Sequence, residues 1–129
     1  MSEDPARNHM PLPPKKQGIA RLIAATRFSF AGLRATWRNE EAFRLEIFAF
    51  IVLAPIGIWL GQSRVEQVLL VGCLILVLLM ELLNSAIEAV VDRTGEEFHE
   101  LAGRAKDIGS AAVFIAMMLV LFVWGMLLL

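Results

Sequence analysis

Residues 81 to 92, ELLNSAIEAVVD, place Glu81, Asn84, Glu88 and Asp92 three and four positions apart. On an ideal helix Asn84 then lies at about −60°, Glu88 at about −20° and Asp92 at about +20° from Glu81. Three carboxylates and an amide therefore share one narrow face. The run before them, VLLVGCLILVLLM, carries no charge at all. A carboxylate held at membrane depth costs free energy unless it faces protein, a cation or a wet cavity. Several acids on one face suit a hard cation, because Mg²⁺ takes oxygen ligands. Proton chemistry is the second use of such a stripe. The bland alternative is a seam that joins helices through hydrogen bonds, but one or two neutral polar groups would serve that purpose.

Other residues add to the chemistry. Asn39, Glu40, Glu41 and Glu46 form a second acidic group. Glu40 and Glu46 are six apart, so they point about 120° away from each other and need not share a role. Lys106 and Asp107 stand together just before the last apolar run. The lysine suits either a phosphate or a local ion pair. His99 has no second histidine near it, so a zinc site has no support. The chain holds no GxxxxGK[ST], no GxGxxG and no HRD or DFG set, so a phosphate site here would need another design.

The elements that must position these groups are helices in a membrane. The 129 residues are 57% hydrophobic, and their net charge is −1. That balance gives no signal for nucleic acid or any other polyanion. The lone cysteine, Cys73, lies in an apolar run and reads as a small buried or lipid-facing residue. Residues 1–17 hold four of the five prolines and show no apolar period, which predicts a disordered tail. Residues 18–38 have a helical period. Ile19, Leu22, Ile23, Phe30, Leu33 and Trp37 fall in about one 100° arc, with Arg27, Arg34 and Arg38 beside it. Such a helix belongs in the membrane interface, with its arginines near lipid phosphates.

Three spans are predicted, at about 43–62, 67–91 and 108–129, each long enough to cross a bilayer. Pro55 lies within the first and is a candidate kink. A short loop near 61–66 and a longer one, 92–107, join them. Eight lysines and arginines precede or open the first span, one lies in the first loop and three in the second. The basic side faces the cytoplasm. This places the N-terminus and the 92–107 loop there, with the 61–66 loop and the C-terminus across the membrane. Glu81 is about 14 residues, or roughly 21 Å, in from the outer end of the second span. It lies past the midplane, toward the cytoplasm. One helix with two short neighbours offers this stripe few partners, which points to oligomerisation.

The segments ELLNSAIEAVVDRTGEEFHELAGRAKDIGSAA (81–112) and GLRATWRNEEAFRLE (32–46) resemble the prokaryotic diacylglycerol kinase family of small integral-membrane lipid kinases. The resemblance covers the chain from about residue 18 to its end. It implies an all-α homotrimer of one membrane kinase domain, 18–129. Each chain would have three transmembrane helices plus an N-terminal amphipathic surface helix, and neighbouring subunits would share their active sites. It also implies ATP-dependent phosphorylation of diacylglycerol to phosphatidic acid, with Mg²⁺ as cofactor, in a bacterial inner membrane. Position by position, Glu81 matches the candidate general base, and Glu40 and Glu88 match metal-binding glutamates that also serve ATP. Lys106 and Asp107 match a nucleotide-contacting pair, and Glu97 and His99 match loop positions near the nucleotide. Asn84 matches a polar residue that orients the site. Arg21 and Glu46 match positions at the lipid or site rim, and Asp92 and Gly103 match with less defined roles. Two alternatives remain beside this reading. One is an undecaprenol kinase of the same fold. The other, of a different class, is a small oligomeric cation or proton transporter that would need neither ATP nor Lys106.

Overall fold

The structure is a computed structural model and describes residues 11–12, 17–93 and 100–129. Among them it holds four helices and no strand: α1 (Gly18–Asn39), α2 (Glu41–Leu60), α3 (Arg64–Asp92) and α4 (Glu100–Leu128). Helices α2, α3 and α4 are each long and apolar enough to cross a membrane. The chain divides into two compact units, Met1–Gly32 and Leu33–Leu129. Most of the expected disordered tail lies outside the described residues.

The first unit contributes the start of α1. Among its described residues the two hydroxyl side chains are satisfied within the helix, Thr26 Oγ1 donating to the Leu22 carbonyl (2.9 Å) and Ser29 Oγ to that of Ala25 (2.8 Å). Polar side chains of this size commonly bond back one turn in this way.

The second unit is built around α3, which packs against both α2 and α4. Buried positions on α3 are Leu70, Cys73, Leu74, Val77, Glu81 and Asn84. Their three- and four-residue spacing is that of a helix-packing seam. The seam is apolar over its N-terminal half and polar over its C-terminal half, so the acidic stripe continues the core rather than lying beside it. The apolar half is tightly built. Leu70 is fully buried, and a Cβ on Gly57 of α2 would stand only 3.2 Å from the Leu70 Cβ and 3.4 Å from Trp124 Cζ2. The indole N–H of Trp124 on α4 donates to the Leu70 carbonyl at 3.0 Å. The three helices thus meet at one small residue and one large one. The large apolar side chains that remain exposed, such as Ile51, Val68, Phe114 and Phe122, suit lipid or another protein surface rather than water.

Turn chemistry explains the connection between α2 and α3. Ser63 caps α3 by accepting from the Glu66 N–H (3.2 Å), while the Glu66 carboxylate reaches back to the Gln62 N–H (2.6 Å). This is a variant of the capping box. Gln67 Nε2 donates to the Ile58 carbonyl (2.8 Å) and satisfies the end of α2. Pro55 sits inside α2, which is one continuous helix by its hydrogen-bonding pattern.

The helices run further than hydropathy predicts at one place. The expected 92–107 loop is helical from Glu100, so ELAGRAKD forms the first two turns of α4. These residues are good helix formers, and Glu100 and Arg104 add an i,i+4 ion pair at 3.7 Å. A hydropathy window misses such a segment because it is polar, not because it is irregular.

Candidate active site

At the C-terminal half of the α3 seam lies a cleft of about 330 Å³, lined by Glu40, Ala42, Glu46, Glu81, Asn84, Glu88, Ser110, Val113 and Met117. Helix α3 supplies its floor through Glu81, Asn84 and Glu88, which sit at successive turns. Glu81 and Asn84 are nearly inaccessible, at 6% and 8% exposure. The Asn84 amide Nδ2 donates to Glu88 Oε1 at 3.3 Å. The Glu46 carboxyl, from α2, meets that of Glu81. Four carboxyl groups therefore face one cavity among apolar helices. An arrangement of like charges so close is costly without a cation or proton to offset it.

The convergence of Glu40 and Glu46 is the main departure from the spacing argument. Six residues within one helix would set them about 120° apart, yet both line the cleft. The reason is that Glu40 is outside both helices. It is the one residue between α1 and α2, with extended backbone (φ −120°, ψ 107°). Its N–H donates to the Thr36 carbonyl (2.9 Å) and its own carbonyl accepts from the Arg44 N–H (3.3 Å). The junction is braced from both sides. Arg44 Nη1 donates to the carbonyls of Trp37 (2.7 Å) and Arg38 (3.2 Å), placing a cation at the negative end of α1. The rings of Trp37 and Phe48 pack at 5.9 Å in a tilted pair.

The remaining expected residues sit elsewhere. Asp92, the last residue of the stripe, is exposed and does not line the cleft. Its Oδ1 accepts from Lys106 Nζ at 2.9 Å, joining the end of α3 to the second turn of α4. Asp107 is exposed beside it and Gly103 is half-buried one turn earlier. Arg21 lies on α1 within the first unit. Glu97 and His99 lie outside the described residues. Conversely, Ala42, Ser110, Val113 and Met117 line the cleft without having been singled out. Ser110 carried a faint signal, since it follows Lys106 by four residues and so shares its helix face.

The donor set suits a hard cation. All four acids offer oxygen, and Mg²⁺ is usually held by one or two carboxylates together with substrate phosphates. Among the described residues no three such groups close on a single point. The cleft adjoins an apolar slot of about 380 Å³ that shares Glu46 and Met117 with it.

Comparison with known proteins gives the family. The profile of the prokaryotic diacylglycerol kinases matches residues 27–128. The chain belongs to that family. It is 50% identical over 111 residues to the diacylglycerol kinase of Haemophilus influenzae, covering 86% of this chain and 94% of that protein. It is 51% identical over 111 residues to that of Escherichia coli K12, and 45% identical over 120 residues to that of Pseudomonas aeruginosa. The matches cover 91% and 98% of those two proteins. Family membership accounts for an acidic cleft within helices able to span a membrane. It also favours an enzyme over the transporter that the stripe alone would equally allow.

Proposed function

We propose that this chain, as a homotrimer in a bacterial inner membrane, transfers the γ-phosphoryl group of ATP to the primary hydroxyl of diacylglycerol, giving phosphatidic acid and ADP. The observation that carries the reading is the cleft itself. It brings half-buried Glu40, Glu46 and Glu88 and buried Glu81 and Asn84 from a helix junction and two helices to one cavity. The relatives are named for the same substrate class.

Phosphoryl transfer asks mainly for positioning and charge neutralisation. Glu40 and Glu88 are the residues that would hold Mg²⁺, which when bound neutralises charge on the β- and γ-phosphates. Glu81, the buried acid that lines the cleft beside Glu46, acts as general base. The lipid oxygen attacks the γ-phosphorus in line, the bond to the β,γ-bridging oxygen breaks, and the hydroxyl proton passes to Glu81. Asn84 holds Glu88 in place, and Glu46 lines the lipid side. Lys106 is held by Asp92 at the cytoplasmic end and is free to turn to a nucleotide phosphate, with Asp107 beside it. Arg21, Glu97 and His99 stay in the proposal on the family resemblance alone. The excess of lysine and arginine before the first span supports a cytoplasmic N-terminus.

The test is transfer of labelled phosphate from MgATP in lipid-doped micelles containing diacylglycerol, undecaprenol or no added lipid. Label in diacylglycerol, lost in Glu81→Gln while ATP binding is largely kept, supports the assignment and the base. Label in undecaprenol alone changes the substrate and keeps the chemistry. No transfer by a folded oligomer returns the acidic stripe to ion transport. Native mass measurement of the same sample reads the trimer directly.

A further inference from the structure

Gly109, on α4, has no role in what precedes, yet it touches a buried polar side chain of the cleft. Asn84 is 8% exposed, its Nδ2 donates to Glu88, and its Oδ1 is buried with no hydrogen-bond partner. A buried carbonyl oxygen left unpaired is costly and calls for a reason. The reason lies opposite it. A Cβ built on Gly109 would collide with Asn84 Oδ1, and would also stand 3.3 Å from Asn84 Cγ and 3.6 Å from Ile87 Cδ1. The oxygen therefore occupies the place where any other residue would carry its side chain. There it faces the Gly109 Cα–H, a weak donor of the kind found where helices approach closely. Reversing the amide would turn Oδ1 onto the Glu88 carboxylate and the NH₂ onto Cα–H, so both contacts would fail.

We infer that Gly109 is a positioning residue whose missing side chain seats the Asn84 carboxamide and so aims its N–H at Glu88. The neighbouring contacts leave the amide little freedom. Val113 and Ala116, the next buried positions on α4, fix the approach of α4 to α3. A methyl at 109 must then push the carboxamide off Glu88 or part the two helices. This inference rests on the proposed role of Glu88. It goes beyond it by assigning the geometry of the site to a residue with no functional group.

The experiment is a double-mutant cycle on the full chain in lipid-doped micelles, using Gly109→Ala, Asn84→Ser and the pair together. Gly72→Ala is the control, since a Cβ there meets nothing within 4 Å. Turnover, thermal midpoint and the ¹⁵N resonance of the Asn84 side-chain amide are measured. Gly109→Ala is expected to lower turnover about tenfold to a hundredfold and to move the amide resonance, while Gly72→Ala does neither. In the Asn84→Ser background, where the shorter side chain leaves room for the methyl, Gly109→Ala is expected to cost less than about twofold more. Should Gly109→Ala fail to fold, recovery of folding in the pair supports the seat, and failure of both overturns it. Equal losses of turnover in the two backgrounds would make Gly109 a simple helix spacer. An unmoved amide resonance refutes the inference by itself. If the unaltered chain phosphorylates no lipid, the kinase reading fails and the amide resonance still decides this one.

Discussion

Replacing Glu88 by Gln separates the two things that this residue does. Glutamine has the same length, so its carbonyl oxygen can still accept from Asn84 Nδ2, now 3.3 Å from Oε1. What is lost is the charge. A hydrogen bond to a charged group contributes about 1.5–3 kcal/mol and a neutral one about 0.5–1.5. The long 3.3 Å contact sits at the weak end of both ranges, so the loss is roughly 1 kcal/mol or less. Removing one of four carboxylates from the cleft also relieves like-charge repulsion, which works in the opposite direction. Net stability should therefore change little. Catalysis should change much more. Removing one preorganised electrostatic group from a transition state typically lowers turnover about 10²–10³-fold, or about 2.7–4 kcal/mol. The assay is phosphate transfer to diacylglycerol in micelles across a range of Mg²⁺ concentrations, with thermal unfolding on the same preparation. The expected result is an unchanged midpoint, turnover lower by at least about a hundredfold, and a higher Mg²⁺ concentration for half-activity. Turnover within about threefold of the unaltered chain at saturating Mg²⁺ would refute the assignment, because the group would then supply well under the expected share. A large fall in the midpoint would refute the energetic argument instead.

Asp92→Asn removes the charged partner of Lys106 and should alter the apparent affinity for ATP by about fivefold at most, with the difference vanishing at high salt, since the pair is exposed. Binding of labelled ATP at two ionic strengths reads this. Trp124→Phe deletes the indole donor to the Leu70 carbonyl and the ring carbons packed on Gly57. The hydrogen bond contributes about 0.6 kcal/mol by the average for interhelical bonds in membranes. The variant should therefore lower unfolding stability modestly in a denaturant titration and leave turnover near its normal value, because Gly57, Leu70 and Trp124 lie away from the cleft. A loss of turnover without loss of stability would mean that this end of the helices takes part in the chemistry.

The sequence alone determined that three helices are long and apolar enough to cross a membrane, and which face of α3 carries the acids. Both are local properties. Span length follows from the thickness of the bilayer, and the stripe of Glu81, Asn84 and Glu88 follows from the turn of one helix. The extra turns of α4 escaped a hydropathy reading because Glu100 to Asp107 are polar, although their helix propensity was there to be used. What only the tertiary structure decided is which faces meet. Helical spacing set Glu40 apart from Glu46, but one extended residue between two helices, braced by Arg44, brings both to the cleft. The same holds for Asp92, which continues the stripe on paper but pairs with Lys106, fourteen residues along the chain. Gly109 is the extreme case. It has no side chain to read, and its part is visible only from the Asn84 oxygen that fills its place. Periodicity describes a helix by itself, whereas a site between helices is fixed by the distance and angle at which they touch.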